Sequence, residues 1–369
     1  MKRTASLIQL IQSLTIANLV ALSFALSPLP AEACTILSAP HLKDHLVGKS
    51  YDWVFEDGLV MVNKRHMQKK ALLLDPTSTG AVWTSKFGSI TFNQYGREFP
   101  LGGINEAGLV VEIAWLEAAK FPKADKRPTL NELQWVQYQL DQYATVRDVA
   151  AHLEDIRIAR AHAPVHYLVC DASRDCLTVE FLNGKLVTHT GSKLDVQVLA
   201  NDPYAAQRKA LKSLQGFGGR RPLPEGTDSF ARYARAAVFA HATPDSTESD
   251  TQTGLLRLFQ VLASVHQNDY SKWHISYETH EGIVSWRSSS RPLIKSVKLA
   301  DFDFSCHSPV KVQPVVSEGE GSISASFEDY TTEANRRMLD ISLKPIANTL
   351  PPGTLDLVAE YPETLSCAD

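Results

Sequence analysis

Ala31-Glu32-Ala33 stands immediately before Cys34 and closes an opening segment in which Lys2 and Arg3 precede an apolar run from about Leu14 to Leu26. A charged start, a short apolar middle and a small-x-small end form the pattern that signal peptidase reads, so residues 1–33 are expected to be a signal peptide. The chain that folds would then begin at Cys34, in the periplasm or outside the cell. The apolar run contains Asn18 and Ser23 and is followed by Pro28 and Pro30, which leaves it short of the ~20 residues a membrane span requires. No stable span is expected, and the mature chain should be soluble. A second reading makes Cys34 a lipid attachment point, but Ala31, Glu32 and Ala33 lack the aliphatic and small neutral residues such a signal uses.

The full chain carries 37 Lys and Arg against 41 Asp and Glu; without Lys2, Arg3 and Glu32 the balance is 35 to 40. Such a mildly acidic surface gives nucleic acid no footing. Residues 34–369 are enough for one large core, and neither an internal repeat nor a long biased linker divides them. They are read as a single domain with a C-terminal extension from about residue 307. The stretches Gly216 to Thr227 and Ser317 to Ser326 are read as surface loops. Five cysteines leave one unpaired in an oxidising compartment. Cys34 is the natural odd one. Cys170 and Cys176 flank a tight turn between strand-like runs, which suits a bond across a hairpin end, and Cys306 with Cys367 would tie the extension to the body. The alternative is four buried, reduced thiols.

Strands are expected at Thr35 to Ser38, Leu46 to Lys49, Leu59 to Asn63, Ala81 to Thr84 and Ser89 to Phe92, short β-branched or aromatic runs between turn residues. Asn105-Glu-Ala-Gly108 reads as a turn, and Leu109 to Leu116 as a strand covered on both faces. Leu130 to Tyr143 has helical spacing, and Thr145 with Asp148 resembles a capping box opening a second helix through Ile156. Asn183-Gly184 marks a hairpin between Leu177 to Leu182 and Lys185 to Thr188. Helices are expected at Pro203 to Gln215, Ser229 to His241 and Gly254 to His266, then a hairpin of Trp273 to Thr279 and Ile283 to Ser288. Sheets interleaved with paired helices give a layered α+β sandwich.

Zinc-protease, serine-hydrolase, phosphate-loop and dinucleotide motifs are absent from the sequence. His41 with His45, and His162 with His166, have metal-ligand spacing but sit beside Pro40 or Pro164 in poorly helical sequence, and are read as surface histidines. What remains is a cysteine at a new N-terminus. Its α-amine titrates near pH 8 and can take the thiol proton, so one residue supplies nucleophile and base. The thiol is expected to be partly ionised, more so beside a cation, and Asp52 is a candidate to hold the amine.

These residues and their order resemble the choloylglycine hydrolases, which include bile salt hydrolases and penicillin V acylases and belong to the N-terminal nucleophile hydrolases. The resemblance rests on Cys34-Thr-Ile, Gly48-Lys-Ser-Tyr-Asp-Trp53, Asn105-Glu-Ala-Gly-Leu109, Val198-Leu-Ala-Asn-Asp-Pro203 and Ser229-Phe-Ala-Arg232-Tyr, spread from Cys34 to about Phe304. It implies an αββα sandwich with two central antiparallel sheets, and a homo-oligomer, a tetramer. It implies Cys34 as nucleophile, Asp52 as the carboxylate orienting the α-amine, Asn201 as an oxyanion donor and Arg232 as a supporting cation. Two positions depart from the family. Lys49 stands where Arg is usual, keeping the charge without the planar fork. Trp115 stands where bile salt hydrolases have an active-site Asn, where a backbone N–H suffices for the oxyanion.

The residues and the resemblance together imply cofactor- and metal-free hydrolysis of a linear amide by Cys34, penicillin V acylase-like, on a small-molecule acyl amide. Trp53 and Trp115 are expected to form an aromatic acyl pocket that disfavours conjugated bile salts. Alternatives are an N-acyl homoserine lactone or bile salt amidase, and, outside enzymes, an exported binding or lipoprotein anchored at Cys34.

Overall fold

The structure, a computed structural model, describes residues 34–42, 44–74, 77–159, 163–242, 251–343 and 350–368. The expected signal segment and His162 lie outside the described residues. Thr35–Ala39 and Leu46–Asp52 pair as an antiparallel hairpin, Thr35 opposite Ser50 and Ala39 opposite Leu46, with every residue of both strands buried. Near-continuous burial needs cover on both faces, and the rest of the chain supplies it.

That hairpin lies inside a seven-stranded sheet that runs Val198–Leu199, Thr35–Ala39, Leu46–Asp52, Ser271–Glu278, Ile283–Ser288, Lys295–Lys298 and Gly321–Ser322. Its pairings are antiparallel except the last. A nine-stranded antiparallel sheet faces it, in the order Lys185–Thr190, Cys176–Leu182, Val165–Cys170, Val110–Trp115, Pro100–Asn105, Ser89–Asn93, Leu59–Asn63, Lys311–Pro314 and Glu328–Asp329. Phe92 from one sheet meets Trp273, Tyr277 and Trp286 from the other, with ring centroids about 6 Å apart. Helices Ser229–Ala240 and Thr251–Ser264 cover the outer face of the first sheet, where Tyr233, Ala237, Leu258 and Leu262 pack on Leu37, Leu46 and Val198. Helix Glu132–Gln142 covers the second sheet with Trp135, Val136 and Leu140. The fold is therefore the αββα sandwich. No helix among the described residues is long and apolar enough to cross a membrane.

Several expectations shift in detail. The helix opened by Thr145, whose hydroxyl accepts from Asp148 N, covers only Val146–Ala151 and ends well before Ile156. Asn105 is not a turn residue but the end of strand Pro100–Asn105; its Oδ1 caps the amides of Ala107 and Leu109, and its Nδ2 binds the Leu140 and Tyr143 carbonyls. The turn proper closes on Gly108, at φ +81°, where a Cβ would strike the Thr279 carbonyl oxygen at 2.3 Å. Asn183 and Gly184 take the positive φ of the expected hairpin turn. His45 and His166 are buried, not surface histidines. His45 bridges Ser38 and Thr279, and His166 bridges Glu180 and the Ala200 carbonyl. Both are spent on joining strands.

Cys170 is bonded to Cys176 and Cys306 to Cys367, leaving Cys34 free. The first pair closes a short turn and the second spans 61 residues of sequence. In the chain-entropy account the longer closure removes more freedom from the unfolded chain, about 4 kcal/mol against about 2. Cys367→Ser should therefore lower the urea midpoint clearly more than Cys176→Ser, and equal losses in the two would show that the length of the closed loop does not set the stabilisation.

Candidate active site

Strand geometry sorts Leu46–Asp52 into two sets of side chains. Lys49 and Tyr51 share one face, with Lys49 Nζ 5.4 Å from the Tyr51 ring, and Ser50 and Asp52 share the other. Ser50 Oγ donates to Asp52 Oδ1 at 2.9 Å, and Ser271 Oγ donates to the same oxygen at 2.5 Å. Ser271 reaches it because the register between Leu46–Asp52 and Ser271–Glu278 shifts between Ser271 and Trp273. Asp52 Oδ2 is also buried, but has no hydrogen-bond partner. Burial pushes the Asp52 carboxyl up to about 6, against the pull of the Ser271 hydrogen bond, Arg232 and Ser50.

Cys34 precedes the Thr35–Ser50 pair and is 6% exposed. Arg232 gathers the groups around it. Its Nη1 donates to the Cys34 carbonyl at 3.0 Å and to Thr35 Oγ1 at 2.6 Å, and lies 3.9 Å from Asp52 Oδ2. Its Nη2 donates to Asn201 Oδ1, and its Nε to the Thr227 carbonyl. The guanidinium fork is what lets one side chain serve all of these, a task Lys could not perform. Helix Ser229–Ala240 holds Arg232 there. Asp228 caps that helix through Ala231 N, and Ser229 Oγ accepts from Asn201 N.

Asn201 follows the short strand Val198–Leu199, which lies against Thr35–Ala39. Since Arg232 only donates, the oxygen of the Asn201 amide must face it, which fixes the amide orientation. Nδ2 donates to the Trp115 carbonyl at 2.9 Å, and its second hydrogen remains for another acceptor. Trp53 and Trp115 stand 6.4 Å apart, ring to ring, and Tyr95 meets Trp53 edge-on at 6.2 Å. The Trp53 indole N–H has no acceptor. No motif assigns a role to Tyr95, Ser50 or Ser271, and reading the sequence alone misses all three.

Lys49 keeps its charge and makes hydrogen bonds of its own. It is buried in an ion pair with Glu112, Nζ to Oε2 at 2.5 Å, and also donates to the Leu101 carbonyl; Tyr277 Oη donates to the other Glu112 oxygen. Gly102 makes the room, because a Cβ there would fall 2.1 Å from the Glu112 carboxylate. A lone acid in the apolar run Leu109 to Leu116 was the available signal, since a fully buried carboxylate demands a cation. Lys49 still favours a Cys34 thiolate, yet burial outweighs it and pushes the thiol up to about 11. In this environment burial holds Cys34 as a thiol. The one cluster of metal-type ligands among the described residues, Cys306, His307 and Cys367, has its two sulfurs bonded to each other.

The profile of the linear amide C–N hydrolases, choloylglycine hydrolase family, matches residues 34–310. The chain belongs to this family. It is 26% identical over 246 residues to the penicillin V acylase of Pectobacterium atrosepticum, across 61% of this chain and 64% of that one. The chain thus spans just under two thirds of the length of this curated relative. Among solved structures it superposes on a penicillin V acylase from Agrobacterium tumefaciens with a TM-score of 0.67 at 24% identity, covering 81% of this chain and 98% of that one. A variant of the conjugated bile acid hydrolase from Clostridium perfringens gives a TM-score of 0.61 at 16% identity, over 79% and 98%. At such identities these structural likenesses speak for the fold, the N-terminal nucleophile hydrolase sandwich.

Proposed function

We propose that the chain is exported, is cut before Cys34, and hydrolyses linear amides of aromatic or alkyl acyl groups in the manner of a penicillin V acylase. The observation that carries this reading is the unpartnered, buried Asp52 Oδ2, held beside Cys34 by the Arg232 nitrogen that also binds the Cys34 carbonyl. A buried carboxylate oxygen without a donor is costly, and a free α-amine at residue 34 would supply one. The family match, which starts at residue 34, supports the same boundary.

In this scheme the α-amine takes the Cys34 proton as Sγ attacks the amide carbon. The oxyanion is held by the free hydrogen of Asn201 Nδ2 and a backbone N–H. As the tetrahedral adduct collapses, the C–N bond breaks and the α-ammonium returns the proton to the leaving amine. Water, deprotonated by the same amine, then cleaves the thioester to free the acid and the thiol. Lys49, from its buried pair with Glu112, favours the Cys34 thiolate that forms in the attack, and Trp53 with Trp115 receives the acyl group. A flat aromatic pair offers little to a steroid's hydroxyls, so phenoxyacetyl amides and long-chain acyl homoserine lactones should be turned over faster than glycine- or taurine-conjugated bile acids. The test is turnover of the three at equal concentration, with the intact mass of the exported protein measured alongside. A mass beginning anywhere but Cys34, or carrying acyl chains at rest, would remove the mechanism, and fastest turnover of the bile acid conjugates would remove the aromatic pocket.

A further inference from the structure

The family match ends at residue 310, and the chain beyond that point turns back toward the aromatic wall. Helix Thr332–Leu343 and helix Thr354–Glu360 bury Leu339, Leu343 and Ala359 against one another, and Tyr95 packs on that cluster. The other side of Tyr95 is the edge-on contact with Trp53. The loop that carries Tyr95 is fixed from the same direction. Asn335, wholly buried in the first of these helices, accepts from Arg97 N at 2.9 Å and donates to the Ala359 carbonyl. From within the domain, Asn93 Nδ2 holds the Gly96 carbonyl, and Gln94 is held by Tyr51 Oη and by the carbonyls of Phe55 and Asp57. The Cys306–Cys367 bond ties down the far end. Leu339, Leu343 and Ala359 of the extension thus form the cluster on which Tyr95 packs.

We infer that the C-terminal helix pair is a specificity element, with Leu339 and Asn335 acting as positioning residues that set Tyr95, and through it Trp53, for flat acyl groups. This rests on the reading of Trp53 as part of the acyl pocket. A side chain packed on both faces loses little freedom when substrate binds, so its support appears in binding more than in the chemical step. Leu339→Ala should raise KM for a phenoxyacetyl amide by about 10-fold while kcat stays within about 2-fold, and should raise KM much less for a flexible alkyl amide. Met338→Ala is the control, because Met338, next in sequence on the same helix, packs in a separate cluster with Leu59, Met61 and Val312; it should lower the melting temperature while leaving both KM values unchanged. If Leu339→Ala does not fold, Leu339→Val should show the same selective shift at smaller size. A parent enzyme that turns over both amides, with an unaltered KM ratio in the Leu339 variants, would overturn this inference alone. A parent that turns over neither would overturn the functional reading and this inference with it.

Discussion

Cys34→Ala removes hydrolysis, with kcat/KM falling on the order of 10⁴-fold or more, as when a sole nucleophile is deleted, and leaves the fold in place. The variant keeps the contacts that organise the site, since Arg232 binds the main-chain carbonyl of residue 34 and the hydroxyl of Thr35, not the sulfur. Only one small, buried group is lost, so the change in stability should be near the ordinary size for a point variant, about 1 kcal/mol. The measurements are turnover of a phenoxyacetyl amide and a urea melt on the same preparation. A second check uses an activated acyl analogue, which should add its acyl mass to Cys34 in the parent and nothing in the variant. Retained turnover would place the nucleophile elsewhere, whatever the family resemblance says.

The parts of the fold that are legible in the sequence are those whose side chains alternate or repeat strongly. Leu59–Asn63, Ile283–Ser288 and helix Ser229–Ala240 stand where their apolar runs and flanking turn residues put them. Strand Pro100–Asn105 is illegible because Pro100, Gly102 and Gly103 look like breakers, yet Gly102 is needed there so that Glu112 can lie against it. Helix Thr332–Leu343, with its apolar residues spaced among Glu333, Arg336 and Asp340, escapes notice because nothing local says what it covers. The same division holds at the site. Cys34, Asp52, Asn201 and Arg232 sit in short motifs and come together in space. Ser271 joins them only through a strand register, and Tyr95 through a loop held by a residue 238 positions from Arg97; neither leaves a local trace. The state of the Cys34 thiol depends on burial by both sheets, which no reading of adjacent residues supplies.

Asp52→Asn should cut kcat on the order of 10³-fold while KM changes little, because the amide keeps the shape but no longer orients the α-amine or stabilises the ammonium that forms when it takes the Cys34 proton. The pH profile supplies a test that a merely structural role would not satisfy. Burial raises the Asp52 carboxyl to about 6, and the α-ammonium of the processed enzyme pulls it back down, so parent activity should show an acid limb below that value, beneath the limb of the amine itself, and the variant should lose only the lower one. Stability moves the other way. A carboxyl raised in the folded state binds its proton there at pH values where the unfolded chain has already lost it, so stability declines as pH rises through the window up to about 6, and the full cost is present at neutral pH. In a chain still carrying residues 1–33, where Asp52 Oδ2 has no donor, Asp52→Asn should therefore stabilise at pH 7.5, on the order of 1–3 kcal/mol. In the mature enzyme the α-ammonium offsets that cost, and the gain should shrink or reverse. Urea melts of the four proteins at pH 7.5 read this difference directly. Equal effects of the substitution in the processed and unprocessed chains would mean that the amine of residue 34 does not meet Asp52, and the catalytic scheme would lose its base.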